Sequence, residues 1–202
     1  MMIYEPMLII LSEMEDYRSY LNKAGIQMSD DDWAVYEPRI FLKEFKKNDI
    51  ILEQGQVENY LSIVVKGVAR NFIDTEDKEV TTTFVFENGY LSSYESFLTR
   101  TPSHYSVQAL TDVVIWRASY DSCQYFFENT SIGNFIGRIS AEILYISKAK
   151  RELSFLTESA EERYLNLLKQ DPQLFQKVSL KHIASYIGIT PQALSRIRAR
   201  IV

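Results

Sequence analysis

Cysteine and histidine are scarce in this chain, which has one cysteine and two histidines among 202 residues. Because Cys123 is alone, no internal disulfide can form, and the sequence favours an intracellular protein. Structural zinc and iron–sulfur clusters need more thiol and imidazole ligands than this chain supplies. No serine or cysteine has a convincing catalytic partner either, so we expect a protein that is not an enzyme and holds no metal.

Long apolar runs are absent as well. The longest one near the N-terminus, Met7 to Leu11, is far shorter than the roughly 18–20 residues that cross a bilayer. No positive charge precedes that run, so a secretory signal is not expected. We therefore expect a cytoplasmic protein without a membrane partner.

Basic residues are outnumbered, and the net charge of −5 argues at first sight against a nucleic-acid partner. The distribution changes this interpretation, because residues 177–202 carry five basic side chains and no acidic one. The first 176 residues then carry a net charge of −10. An acidic body with a basic end favours an anionic partner at that end, whereas a solvated basic helix that binds nothing is the alternative.

Two helices are predicted before residue 40. Apolar spacing from Leu8 to Leu21 indicates the first, with Gly25 as its stop. Ser29 can cap the second, whose first turn would contain three aspartates at residues 30–32, and Pro38 would end it.

Between Ile40 and Trp116 the sequence changes to short runs rich in β-branched and aromatic residues, separated by turn signals. Strands at spacings of about ten residues are typical of an antiparallel sandwich or barrel. No helical pattern separates them, which disfavours a parallel α/β sheet.

Apolar residues at alternating four- and three-residue steps follow the strands. They are Ile132, Ile136, Ile139, Ile143, Ile146 and Leu153. A seam of about three heptads is typical of a two-stranded coiled coil, so we expect a homodimer that pairs along this helix. Lys150 interrupts the seam, and Phe135, Leu144 and Tyr145 leave open a helix packed within its own chain.

A helix-turn-helix is predicted at the C-terminal end, after a capping-box pattern at residues 159–162 that begins another helix. Ser179 can cap its first helix, Gly188 suits a left-handed turn, and Thr190 with Pro191 can begin its second helix. The small apolar core would come from Ile183, Ala184, Ile187, Ile189, Leu194 and Ile197.

The second of these helices carries side chains suited to DNA. Gln192, Ser195 and Arg196 are the predicted base contacts, because Gln can bond adenine and Arg can bridge O6 and N7 of guanine. The predicted contacts with the DNA backbone or groove are Lys181, Thr190, Arg198 and Arg200.

The order of a β-rich domain, a long helix and a helix-turn-helix resembles the Crp/Fnr family of bacterial transcription regulators. The segment from Ile183 to Ile197 is similar to the family motif I-A-x-x-x-G-I-T-x-x-x-L-S-R-I, and Gly55, Gly67 and Asn88-Gly89 match its β-roll turns. Residues 94–99 and 105–110 resemble the variant common in Bacteroidetes-type members.

This resemblance implies an α+β fold in three parts. Residues 1–130 would form a cyclic-nucleotide-binding-like antiparallel β-roll (a double-stranded jelly roll) with N-terminal helices, residues 131–156 a dimerisation helix, and residues 157–202 a helix-turn-helix domain. The implied partners are a second copy, an approximately palindromic duplex and RNA polymerase. Many members continue into a β-hairpin wing, which we expect to be missing because the sequence ends at Val202.

The sequence also departs from members that bind cAMP. Their Gly-Glu pair falls on Ser93-Tyr94, with Glu95 one place late, and their phosphate-binding arginine falls on Ser103. Arg100 could substitute only if the loop were rebuilt. Without a guanidinium, nothing offsets the cost of burying the negative charge of a phosphate. We therefore expect that any effector is a molecule other than cAMP.

A pocket for such an effector should lie between the roll and the dimerisation helix. Its candidate wall residues are Tyr94, Glu95, Ser103 and His104. Two alternatives remain open from the sequence. One is a small-molecule-binding module whose DNA-binding head is vestigial. The other is a small metal-dependent β-barrel enzyme, whose site would need two or three histidines and a carboxylate around one metal, whereas the two histidines here are 78 residues apart.

Overall fold

Two four-stranded antiparallel sheets stack face to face in the N-terminal part of the protein. The computed structural model describes residues 18, 19, 21, 22, 27–170 and 174–201. Most of the helix predicted between Leu8 and Leu21 lies outside these residues. One sheet has the order β1-β8-β3-β6 and the other β2-β7-β4-β5. The strands are β1 Ile40–Phe45, β2 Ile50–Leu52, β3 Tyr60–Lys66, β4 Ala69–Asp74, β5 Glu79–Val85, β6 Tyr90–Leu91, β7 Ser106–Ala109 and β8 Val113–Ser119.

Side chains alternate between two cores along the central strands. On β8, Val113 and Ile115 are buried between the two sheets, whereas Trp116 and Ala118 face a helical layer on the other side. This period of two is what a strand with two different covered faces requires. The predicted antiparallel β-roll is therefore confirmed.

The β3–β4 turn depends on Gly67. Its φ is +95°, and a Cβ added there would lie 2.3 Å from the backbone oxygen of Asp112. Glycine is required both by the left-handed backbone and by this close approach.

Helices cover one sheet and continue to the C-terminal end. They are α1 Asp30–Tyr36, a 3-10 turn Glu37–Arg39, α2 Tyr94–Thr99, α3 Tyr120–Asn129, α4 Gly133–Thr157, α5 Ala160–Gln170, α6 Leu174–Lys177, α7 Leu180–Ile187 and α8 Pro191–Ile201. Among the described residues no helix is both long and apolar enough to span a membrane.

The predicted cap of α1 is present, since the Ser29 hydroxyl accepts a hydrogen bond from the Asp32 N–H at 3.0 Å. Asp32 has a further role that spacing alone did not reveal. Its carboxylate accepts hydrogen bonds from the N–H and hydroxyl of Ser131, 99 residues later, and these bonds hold its pKa below the usual range. Asp32 thus ties α1 to the corner that precedes α4.

The long helix α4 has two different halves. Ile132, just before it, and Ile136 pack against the cluster that covers the sheet. Further along, Ile143, Ile146 and Leu153 are 54%, 50% and 59% exposed. The first part of the predicted seam therefore packs on its own chain, while the second part presents apolar side chains to the surface.

The C-terminal head, comprising α5 to α8, packs directly on the roll. Its core is continuous with Val68, Leu110 and the half-buried Phe84 and Phe86 of the roll. A polar contact reinforces this junction, because the Thr81 N–H donates to the Ser185 hydroxyl at 2.9 Å and that hydroxyl donates to the Glu79 carbonyl at 2.9 Å. The sequence offered no prediction of this junction.

Candidate nucleic-acid interface

The two helices of the predicted helix-turn-helix, α7 and α8, meet through a tight turn at Gly188. The Ser179 hydroxyl caps α7 by accepting from the His182 N–H. Gly188 adopts a φ of +80°, and a Cβ there would lie 2.7 Å from Cε1 of Phe155. The Ile189 N–H then donates to the Ala184 carbonyl at 3.0 Å, which closes the α7 end. The left-handed turn predicted between these two helices is thus present.

Helix α8 begins as the sequence predicts. The Thr190 hydroxyl accepts from the Ala193 N–H at 3.2 Å, and Pro191 is the first helical residue. Leu194 and Ile197 are buried, at 0% and 7% exposure, against α7 and its neighbours. Because these two residues fix the inner face of α8, its opposite face is exposed to solvent.

The three predicted base contacts all lie exposed on α8. The Ser195 hydroxyl donates to the Pro191 carbonyl at 3.0 Å, one turn back. The side chains of Gln192 and Arg196 form no hydrogen bond or ion pair with any other residue that the structure describes. Their amide and guanidinium groups are therefore available to another molecule.

The predicted backbone contacts differ among themselves. Lys181, Thr190 and Arg198 are exposed. Arg200 forms an ion pair with Glu161 of α5, 2.8 Å between Nη2 and Oε2, with both side chains partly exposed. Such a surface pair contributes little to stability, so a phosphate can compete for Arg200.

A buried cluster behind α7 fixes the head on the roll. Arg70 of β4, with a side chain 3% exposed, lies 2.6 Å from the Glu79 carboxylate and 2.9 Å from Nδ1 of His182. Since arginine can only donate, Nδ1 of His182 is the acceptor and the ring is neutral. Burial and the Arg70 charge lower the pKa of His182 to about 4. His182, one of the two scarce histidines, is therefore a structural residue.

Arg151 joins the long helix to the same junction. Its guanidinium donates to the carbonyls of Tyr186 on α7 and Thr81 on β5, at 3.1 and 3.4 Å. It also lies over the rings of Phe155 and Tyr186, 4.5 and 4.4 Å from their centroids. One side chain thus connects α4, the head and the roll.

Around Ser93 and Ser103, where the resemblance implies a phosphate site in members that bind cAMP, the polar side chains bond to one another. Ser103 is buried, and its hydroxyl lies 2.8 Å from that of Ser93. The Glu58 carboxylate accepts from the N–H of Ser93 at 3.2 Å, and burial raises the pKa of this carboxyl. Arg100 donates to the Glu58 carbonyl and the Asn59 side chain at 2.6 and 2.5 Å, so it is not free to replace the missing arginine.

The four predicted wall residues of an effector pocket do not come together. Tyr94 lines a cavity between the roll and α4. Glu95 and His104 are exposed, and Ser103 points into the polar cluster with Ser93. Among the described residues, no group of three His, Cys, Asp or Glu side chains is placed to hold a metal ion.

Solved structures of known proteins share this arrangement. The family model of the cyclic nucleotide-binding domain matches residues 42–130. FixK2 from Bradyrhizobium japonicum superposes with a TM-score of 0.69 at 18% identity, over 80% of this chain and 84% of that one. A protein from Eubacterium rectale assigned to the Crp/Fnr family of transcriptional regulators gives 0.69 at 14%, over 86% and 83%. This chain has the Crp/Fnr fold.

A third structure with the Crp/Fnr fold is CLP from Xanthomonas campestris, a c-di-GMP responsive global regulator. It gives a TM-score of 0.66 at 14% identity, over 86% of this chain and 91% of that one. A search of curated proteins returned no match. The predicted resemblance to Crp/Fnr regulators is thus confirmed at the level of the fold.

Proposed function

We propose that this protein is a dimeric, sequence-specific DNA-binding transcription regulator of the Crp/Fnr type, acting in the cytoplasm with RNA polymerase. The observation that carries the proposal is the outer face of α8. Gln192 and Arg196 are exposed there without partners among the described residues, at the end of a Crp/Fnr fold and within the basic segment. Residues of these types at the start of a recognition helix suit bases in the major groove.

Dimerisation is the second part of the proposal. The part of α4 after residue 142 exposes large apolar side chains to water, which is unfavourable. A second copy of the helix would bury them. These side chains are Ile143, Tyr145, Ile146, Leu153, Phe155 and Leu156. Two copies would place their α8 helices about 34 Å apart on an approximately palindromic duplex.

The DNA test compares two charge deletions in the full chain. Arg196→Ala should weaken binding to a selected duplex by about 1–3 kcal/mol and relax its sequence preference, because a base contact is lost. Lys78→Ala removes the same charge from an exposed turn of the roll and should leave both unchanged. Fluorescence anisotropy at several salt concentrations gives both quantities. Equal affinities and preferences for the two variants would refute the assignment of α8.

The dimer test uses sedimentation of the intact protein. Ile146→Glu places a charge in the proposed seam and should shift the protein from dimer to monomer at micromolar concentration. Ser147→Glu, one residue away and also exposed, is the matched control and should remain a dimer. A wild-type monomer at those concentrations would contradict the proposed seam.

A further inference from the structure

A cleft of about 520 Å³ lies where the end of α4 meets α5 and the end of α7. Sites for small molecules typically have volumes of about 300–1,000 Å³. Its charged wall residues are Lys150 and Arg151 of α4, Arg163 of α5, and Glu158 between the two helices. Three of these side chains are cationic and one is anionic, so the walls of the cleft carry a net positive charge.

The carboxylate of this cleft is already bonded within the protein. One oxygen of Glu158 accepts a hydrogen bond from the Ser154 hydroxyl at 2.6 Å, and the other accepts from the Asn166 amide at 3.2 Å. In the part of the chain that the structure describes, Lys150, Arg151 and Arg163 form no ion pair with Glu158 or with any other carboxylate. The positive charge of the cleft is therefore not balanced by a neighbouring side chain.

The two arginines lie against the same aromatic ring. The guanidinium carbons of Arg151 and Arg163 are each 4.5 Å from the centroid of the Phe155 ring. Their hydrogen bonds to described residues go only to backbone carbonyls, which are neutral. Burial and the neighbouring charge of Arg163 lower the pKa of Arg151. Two like charges that are partly removed from water are costly unless an anion offsets them.

Lys150 adds a third positive charge from α4. The seam predicts an apolar side chain at this step, and a lysine in such a seam lowers the stability of a pair of helices. The residue is exposed and lines the cleft. An anion in the cleft would give this lysine a partner that the seam does not offer.

We infer that this cleft binds a small organic phosphate. Guanidinium groups match the geometry of phosphate oxygens and can bond two of them at once. The three cations and the one carboxylate leave a net charge of +2 on the walls, which a phosphate monoester with a charge of about −1.5 to −2 at pH 7 would balance. Leu153, Leu167 and Ile187 provide apolar walls for the organic part of such a molecule.

The position of the cleft indicates what a bound phosphate would do. Arg151 belongs to α4, Arg163 belongs to α5, and Ile187 is the last residue of α7 before the turn at Gly188. A phosphate held by both arginines would tie the head to the end of the long helix. This site lies outside the roll, and its existence does not depend on whether the head binds DNA.

The test is isothermal titration calorimetry of the intact protein at pH 7 and constant ionic strength. Phenyl phosphate should bind saturably, inorganic phosphate should bind about fivefold more weakly because it lacks an apolar group, and phenol should not bind. Lys150→Met should weaken phenyl phosphate by about fivefold or more. Lys148→Met removes the same charge from an exposed position of the same helix outside the cleft, and it should leave the affinity unchanged.

Two further variants test the centre of the cleft. Arg163→Gln should weaken phenyl phosphate by about tenfold or more. Where that variant fails to fold, Ser147→Glu replaces it, because it adds a carboxylate beside the cations from an exposed position and should weaken binding by a similar factor. Saturating phenyl phosphate should raise the Tm of the wild type and not that of Ser147→Glu.

Absence of saturable binding, or equal affinities of Lys150→Met and Lys148→Met, would overturn the inference. Equal affinities for phenyl phosphate and inorganic phosphate would show that the site takes no organic group. Binding by Ile146→Glu but not by the wild type would show that a second copy covers the cleft, which would also overturn the inference. None of these measurements uses a duplex, so the DNA-binding proposal stands or fails separately.

Discussion

The helix pair α7–α8 and the junction beneath it are held together by contacts over very different distances in the sequence. In the helix pair, the bonds that define the geometry join near neighbours, such as Ser179 with His182 and Thr190 with Ala193. In the junction, Arg70 meets His182 across 112 residues. The exposed face of α8 is thus specified locally, whereas its placement on the roll depends on a few buried long-range contacts.

The largest loss of stability is expected when the central arginine of the junction is replaced. Arg70→Met should lower the free energy of unfolding by about 3 kcal/mol, because Glu79 and His182 lose a buried partner that also bonds Gln108 and Thr81. Urea unfolding at fixed protein concentration measures this loss.

The matched control for that substitution is Arg138→Met on α4. Arg138 forms an exposed ion pair with Glu142, with side chains 57% and 49% exposed, and its loss should cost about 0.5 kcal/mol or less. If the two variants lose equal stability, the buried junction contributes no more than a surface ion pair. The contrast between the locally bonded helix pair and a junction held by strong long-range contacts would then be wrong.

A smaller effect is expected from the titration of His182. Its folded pKa of about 4 lies below the ordinary 6.5, so the unfolded chain binds the proton more readily. The stability that neutral His182 contributes is present above pH 6.5 and is lost as the pH falls towards 4. After a discount for partial exposure, the loss is about 1–2 kcal/mol.

Urea unfolding at pH 7 and pH 5 of the wild type and His182→Gln checks this. The wild type should lose more stability than the variant when the pH is lowered from 7 to 5. Between pH 7 and pH 8 the stability of the two proteins should change by the same amount. His104→Gln is the control, because His104 is exposed in a loop of the roll. A wild type that gains stability relative to His182→Gln at pH 5 would reverse the assigned direction.

Features held by local contacts could be predicted from the sequence. Caps and left-handed turns involve residues three or four apart, so Ser29, Ser179 and Gly188 could be assigned from spacing alone. The β-roll followed from alternation of apolar residues and turn signals, and the resemblance supplied its topology. DNA-binding roles on α8 stay predictions, because exposure shows only that those side chains are available.

Other features had no local signal. Glu58 is an ordinary polar residue in the sequence, yet it is buried and holds the N–H of Ser93 from 35 residues away. The resemblance places Glu95 and His104 with Tyr94 at the positions of a ligand pocket, but the short helix α2 and the following loop turn Glu95 and His104 to the surface. Side-chain direction in such a loop depends on the tertiary contacts of Arg100 and Ser103, which no periodicity reports.

The smallest effect is expected at a single local cap. Ser179→Ala removes the hydroxyl that accepts from the His182 N–H at 3.4 Å, so α7 begins with an unsatisfied donor and the head should lose about 1 kcal/mol. Ser179→Asn restores an acceptor and should recover most of that loss, as measured by urea unfolding. Because this cap precedes His182, Ser179→Ala should leave the pH dependence of stability in place. If the alanine variant instead abolishes that dependence, the cap and the junction act as one unit and the head is not locally specified.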